Sequence, residues 1–198
     1  MISKKSSSDI NHIRHCCKIV HLVQKKLKTL IEPGICTLEL DEVAENTIIT
    51  EGGSPAFKGY NGFPASICAS NNASIVHGFP CNTPLQEGDL LSIDVGVKMN
   101  GYFGDGAFTL GVGKINKEKE HFIRTTEHCL ALGIEQMLAD SYLGNISHAI
   151  EQHAEKSGFS IIREYGGHGI GKKLHESPHI NNFGRPEQGP KLKIGYVF

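Results

Sequence analysis

The dipeptide Asn100-Gly101 interrupts a run of alternating residues from Leu90 to Leu110, and it constrains the fold more than any other feature of the chain. Asn-Gly is the preferred two-residue type I′ hairpin turn, because both of its central residues must adopt positive φ. It therefore sets a register in which Met99 faces Tyr102, Gly96 faces Asp105 and Asp94 faces Ala107. Alternate residues of a strand share a face, so Asp94 and Asp105 become diagonal neighbours on one side of the ribbon. Two ionised carboxylates about 6 Å apart repel by about 3 kcal/mol at an effective dielectric of about 20, before any desolvation cost. Three arrangements answer that repulsion. One carboxylate caps a turn or the hairpin edge is wet; the pair shares a proton as an acid/base dyad; or one or two divalent cations lie between them. Gly96, Gly101, Gly104 and Gly106 favour the third by suggesting open space beside the carboxylates.

The rest of the composition removes alternatives. At 198 residues the chain can bury one core, so a single domain over 1–198, or two closely packed halves, is expected. Lys and Arg number 20 against 21 Asp and Glu, which offers no bulk electrostatic case for nucleic acid or an anionic membrane. No segment approaches the roughly 18 consecutive apolar residues of a membrane span, and the polar start, Met-Ile-Ser-Lys-Lys-Ser-Ser-Ser, has no apolar run behind it. A cytoplasmic protein is the expectation. Cys16, Cys17, Cys36, Cys68, Cys81 and Cys129 form no CxxC pair, so reduced thiols are expected rather than a disulfide or zinc framework.

In order along the chain, Asp9 is a candidate N-cap, and Ile10, Ile13, Cys17, Val20, Leu27 and Leu30 recur at near-helical spacing until Pro33-Gly34. A second helix begins at Thr37, with Leu40, Val43, Ala44, Thr47 and Ile48 as its stripe and Gly52-Gly53 as its stop. From Pro55 to Pro84 the chain is rich in Gly, Pro, Asn and Ser, with short strands expected at Ser66–Ala69 and Ser74–Val76. After the hairpin, helices are expected around Glu118–Met137 and Ile146–Lys156, then a strand at Phe159–Arg163. The pattern is α+β, with a suggestion of two similar halves.

Of eleven histidines, His12, His15 and His21 are placed on the outer side of the first helix, and His121, His128, His148 and His153 fall in helical stretches. His77, His168, His175 and His179 differ in context, and glycines flank the first two, where backbone can approach a substrate closely. A turn histidine is the plainer reading of each. His175-Glu176-Ser177-Pro178-His179 matches HExxH in letters, but that chemistry needs both histidines on one helix face, and Pro178 would disrupt such a helix by about 3 kcal/mol.

Taken together, Phe57–Cys68, His77-Gly-Phe-Pro80, the Asp94 and Asp105 pair, and Glu164-Tyr-Gly-Gly-His-Gly-Ile-Gly171 followed by His175-Glu176 resemble the type I, bacterial-type methionine aminopeptidases from about Ile10 to Phe198. The resemblance implies the pita-bread fold, a pseudo-two-fold α+β architecture, and removal of the initiator methionine from nascent polypeptides with one or two divalent ions (Co, Mn, Fe or Zn). It implies Asp94, Asp105 and His168 as metal ligands, and His77 and His175 as catalytic groups that contact the scissile amide and the tetrahedral intermediate. It also implies Phe57, Tyr60, Phe63, Cys68 and Leu174, with His77 and His175, as substrate-binding residues. An apolar, sulfur-tolerant pocket suits a flexible thioether. The implied partners are nascent polypeptide N-termini, with the ribosome as a candidate further partner; a monomer with no specific nucleic acid and no membrane is expected.

Two departures stand out. Gly106 occupies the position where the family usually has Thr or Ser after the second carboxylate, which loosens the shell around Asp105. Lys193-Ile-Gly-Tyr-Val-Phe198 resembles the lead-in to a segment that carries a glutamate ligand, with a second glutamate on a later strand, and neither lies within these residues. A C-terminally truncated member is therefore expected, and the alternative is an impaired module that binds peptide N-termini or ribosome-associated partners. A weaker rival within the same fold acts on Xaa-Pro dipeptides; the Phe57–Cys68 pocket and short N-terminus argue against it.

Overall fold

The computed structural model describes residues 2–198. The chain divides into two compact units, one of Ser8–Lys119 with Gly171–Leu174 and the other of 2–7, Glu120–Ile170 and His175–Phe198. We call them the hairpin unit and the histidine unit.

In the hairpin unit, β3 (Leu90–Met99) and β4 (Tyr102–Gly111) pair along their whole length. Met99 faces Tyr102, Gly96 faces Asp105 and Asp94 faces Ala107, the register the turn dictates. Asn100 and Gly101 both have positive φ, at 53° and 77°, as a type I′ turn requires. The other edge of β3 carries β2 (Ile67–Asn71), with Cys68 facing Asp94, and then the two-residue β1 (Ser54–Pro55). All pairings are antiparallel.

The odd residues of β3, Leu91, Ile93, Val95 and Val97, are fully buried in one cluster with the apolar faces of α1 (Ser7–Lys28) and α2 (Thr37–Thr50). The period-two rule thereby turns Ser92, Asp94 and Gly96 to the opposite face. The buried stripe of α1 is Ile13, Cys16, Ile19, Val20, Val23 and Leu27, so Cys16 lies inside and Cys17, expected on the stripe, is exposed. The 13, 16, 20, 23, 27 spacing is the straighter helical seam. Asp9 is not an N-cap, because the helix starts at Ser7; its carboxylate accepts a 2.5 Å hydrogen bond from Tyr102 Oη. Nor is His12 on the outer side, since its ring stacks on Tyr102 at 4.8 Å.

Ser74–Val76 forms no strand, and Ile75 and Val76 are exposed. A short apolar run becomes a strand only where a ladder partner meets it, and β3 is already occupied by β2.

In the histidine unit, most of α3 (Lys117–Glu135), all of α4 (Leu143–Lys156) and the antiparallel pair β5 (Gly166–Gly169) and β6 (Glu176–Asn181) follow. Leu143, Ile146, Ile180 and Leu192 form its core cluster. Phe159–Arg163 is not a strand; Phe159 packs instead against His121 and Phe122, which holds the segment through side chains rather than a ladder. Of the HExxH letters, His175 lies just before β6 and Glu176–His179 lie within it, so no helix presents them. Among the described residues no helix is long and apolar enough to cross a membrane.

Candidate functional site

On the hairpin unit the face opposite the core gathers Asp94, Asp105 and Cys68. Cys68 stands directly across from Asp94, while Asp105 faces Gly96 and so lies diagonally from Asp94. Both carboxylates are half-buried. Their charge is felt by Cys68: burial first, then Asp94, Asp105 and Asp41, push its thiol up to about 12. Burial and these carboxylates thus favour the neutral thiol at Cys68.

Beside these carboxylates the glycines do not leave the open space expected from sequence. A Cβ on Gly96 would meet the Phe57 ring at 2.3 Å, so the missing side chain at Gly96 leaves the space that ring occupies on the carboxylate face. Gly104 and Gly106, of opposite parity to Asp105, turn to α1 instead. A Cβ on Gly104 would fall 2.7 Å from the Cys17 backbone, and one on Gly106 would fall 3.2 Å from Gln24 Nε2. The Gln24 amide donates to the Gly106 carbonyl at 2.6 Å, so a helix side chain grips the backbone next to Asp105 where a hydroxyl was expected. On the other side of Asp105, Phe103 N–H donates to the Gly171 carbonyl at 2.9 Å, anchoring the segment that ends in buried Leu174.

Phe57 begins an aromatic path. Its ring meets Phe63 edge-on at 6.5 Å, and Phe63 meets Phe79 at 5.3 Å, with Phe79 largely exposed. Tyr60 lies on the turn between the first two, its amide donating to the Phe57 carbonyl at 2.9 Å, and its ring is exposed. Phe79 was not assigned a role from sequence, although its place two residues after His77 was a signal that it shares that loop.

His77 has φ +58°, a conformation that costs a non-glycine residue about 1–3 kcal/mol. The neighbour imposes it. Gly78 accepts the Ala69 amide at 2.9 Å and donates to Ser70 Oγ at 3.0 Å, and a Cβ at Gly78 would stand 2.3 Å from the Ala69 carbonyl oxygen. His77 is thus pinned beside β2, within two residues of Cys68, and it is exposed.

On the histidine unit, the rings of His168 and His175 lie 4.4 Å apart, brought together by the β5–β6 pair and the irregularity at His168/Gly169. Their flanking glycines serve strand packing: a Cβ on Gly166 or Gly169 would meet β6 carbonyl oxygens at 2.3 and 2.4 Å. His168 Nδ1 donates to the Gly169 carbonyl oxygen at 2.9 Å, which makes Nε2 the ring nitrogen that a metal could engage. His179 faces His168 across the ladder and is exposed.

Among the described residues no three His, Cys, Asp or Glu side chains form a ready-made metal cage. What the hairpin unit offers is a pair of carboxylates beside a protonated thiol. Paired oxygens of like charge fit a divalent cation of hard or borderline character, and they do not select one metal.

The sequence profile of metallopeptidase family M24 matches residues 11–198. The chain belongs to that family. Among M24 relatives, the methionine aminopeptidase of Clostridium perfringens is 47% identical over 197 residues, covering 100% of this chain and 79% of the relative. Methionine aminopeptidase 1 of Bacillus subtilis is 46% identical, with the same coverage. Of solved structures, the methionine aminopeptidase from Rickettsia prowazekii superposes with a TM-score of 0.97 at 35% identity over 99% of this chain and 79% of that one. The prolidase from Pyrococcus furiosus, at 21% identity and a TM-score of 0.85, shares the fold. The pita-bread α+β fold implied by the sequence is thereby borne out.

Proposed function

We propose that this protein removes the N-terminal methionine from nascent polypeptides by metal-dependent hydrolysis. The observation that carries the reading is the Asp94 and Asp105 pair on one face with Phe57 laid against Gly96 beside it, in a chain close in sequence to proteins named methionine aminopeptidase. A carboxylate pair for a cation and an apolar aromatic wall for a thioether lie side by side.

In this reading Asp94, Asp105 and His168 would hold one or two divalent ions (Co, Mn, Fe or Zn), which when bound would supply Lewis acidity toward water and the scissile carbonyl. The chain's own groups do the rest. Phe57, Tyr60, Phe63, Cys68 and Leu174 receive the methionine side chain; the neutral thiol of Cys68 excludes a competing charge from it. His77 accepts or donates at the scissile amide, and the strain at its backbone fixes its direction. His175 donates to the oxyanion as it develops. The protein acts as a monomer in the cytoplasm, with the ribosome as the place where its substrates appear. No observation favours the non-catalytic module.

The pocket is tested by Gly96→Ala, which must displace the Phe57 ring. Release of methionine from Met-Ala-Ser in the presence of Mn should show KM raised about tenfold, the worth of about 1.4 kcal/mol of lost apolar contact, with kcat less affected. An unchanged KM would remove Phe57 from the pocket. Cleavage of Xaa-Pro dipeptides in preference to Met-Ala-Ser would replace the reading altogether.

A further inference from the structure

Away from the carboxylates, two thiols that the proposed hydrolysis does not use meet where the start of α2 joins the loop after His77. Cys36 is the N-cap of α2 and bridges to Pro84; Cys81 opens the loop between them, its carbonyl accepting the Leu38 amide at 3.2 Å. Each sulfur touches the other's neighbour. Cys36 Sγ donates to the carbonyl of Asn82 at 3.2 Å, and Cys81 Sγ lies 3.8 Å from the hydroxyl of Thr37. Cys81 N–H also donates to that hydroxyl, at 2.9 Å, so the two segments are held in register. Both thiols are reachable: Cys81 is exposed and Cys36 half-exposed, whereas Cys16, Cys68 and Cys129 are buried.

The two sulfurs are not equivalent. Cys81 receives hydrogen bonds from the Thr83 amide, the Thr83 hydroxyl and the Thr37 hydroxyl, in that order of influence, and they hold its thiol below the ordinary range. Cys36 is pushed up, by desolvation and then by the Glu39 carboxylate, which accepts from the Cys36 thiol and, at 2.8 Å, from its amide. Cys81 is thus the more readily ionised of the two thiols, and Cys36 lies against the Glu39 carboxylate.

We propose that Cys81 and Cys36 form a peroxide-reactive pair, Cys81 the attacking thiolate and Cys36 the resolving thiol, closing a reversible disulfide between the start of α2 and the 81–84 loop. The Cys81 sulfur attacks one oxygen of hydrogen peroxide; the O–O bond breaks, hydroxide leaves and is protonated to water, and Cys81 becomes a sulfenic acid. The Cys36 thiol then gives its proton to Glu39, and its sulfur attacks the Cys81 sulfur. The S–O bond breaks, and the departing hydroxide takes that proton as a second water. Two thiols and one peroxide yield one disulfide and two waters, and a thiol reductant reverses the bond. This inference does not depend on the aminopeptidase reading.

The test uses the reduced protein and a few equivalents of hydrogen peroxide near neutral pH, followed by peptide mapping. A Cys36–Cys81 crosslink, lighter by two hydrogens and restored by dithiothreitol, is expected. In Cys36→Ser the sulfenic acid at Cys81 has no resolving partner and should be captured by dimedone. Serine is itself a favoured N-cap residue, so that variant keeps α2 intact. Crosslinks that involve other cysteines, faster oxidation at the exposed Cys17, or a Cys36→Ser protein that dimedone does not label at Cys81 would overturn the proposal.

Discussion

Asp94→Asn is expected to abolish metal-dependent methionine release and, at the same time, to make the metal-free protein more stable. The two effects share a cause. Asp94 and Asp105 lie diagonally on one face with Cys68 directly across from Asp94, and two ionised carboxylates about 6 Å apart repel by about 3 kcal/mol at an effective dielectric of about 20. Neutralising one partner removes that repulsion, offset in part by new desolvation of the amide, so a gain of about 1–2 kcal/mol in urea unfolding with EDTA present is the expected net. With Asp94 as the ligand proposed above, its loss should lower kcat/KM by well over the roughly 10–100-fold that perturbing the groups around a ligand costs. The neighbouring Cys68 supplies a third readout, because the charge of Asp94 is the largest cause after burial of its raised pKa. Its alkylation should quicken in the variant. A variant that is less stable than the parent in EDTA, with activity retained, would mean that Asp94 caps structure and holds no cation.

Lys5→Met carries the second large effect, on stability. The Lys5 ammonium pairs with the Glu176 carboxylate, and their side chains are only 7% and 14% exposed. The N-terminal segment is fastened there, because Lys5 N–H donates to the Gly195 carbonyl at 2.7 Å and Gly195 is the residue that lets it come so close. Removing one member of a buried pair leaves the other charge without compensation, a loss of about 3–5 kcal/mol, or about 10 °C in Tm for a chain of this size. Lys5→Arg should recover most of it, and Lys5→Met combined with Glu176→Gln should be less damaged than either single change. A drop of under about 2 °C for Lys5→Met, followed by circular dichroism, would show the pair to be solvated in solution. Glu176 follows His175 in the chain, so the same variant should also weaken the contact between the His168 and His175 rings.

These two sites differ in how far they can be read from the sequence. The Asp94 and Asp105 face follows from a turn dipeptide and a period of two, both local, and every partner from Leu90 to Gly111 falls where Asn100-Gly101 puts it. Lys5 and Glu176 are 171 residues apart, and nothing local distinguishes Lys5 from Lys4 beside it. The glycines mislead for the same reason. Sequence shows that Gly96, Gly104 and Gly106 lack a Cβ, but only the fold shows that Phe57 fills one gap and α1 the other two. Phe159–Arg163 and Ser74–Val76 have strand-like composition and no ladder, because pairing is decided by what lies alongside. Helical phase alone turns His12 outward, and Tyr102, ninety positions on, gives it a stacking partner. The proposed site residues Asp94, Asp105, His77, His168 and His175 come from an ordered set of motifs in the sequence, whereas the contacts that hold the backbone beside two of them, Gly78 against β2 next to His77 and Gln24 on Gly106 next to Asp105, appear only in three dimensions.

The central claim, a carboxylate-held cation that hydrolyses the first peptide bond after methionine, is most directly tested by metal reconstitution. Protein stripped with chelator and desalted is incubated with Met-Ala-Ser, and free methionine is followed as Mn, Co, Fe or Zn is added stepwise. The account predicts silence in the stripped protein and release that rises and saturates at one or two ions per chain. Equal release in the presence of EDTA, or none with any of the four metals, would contradict it.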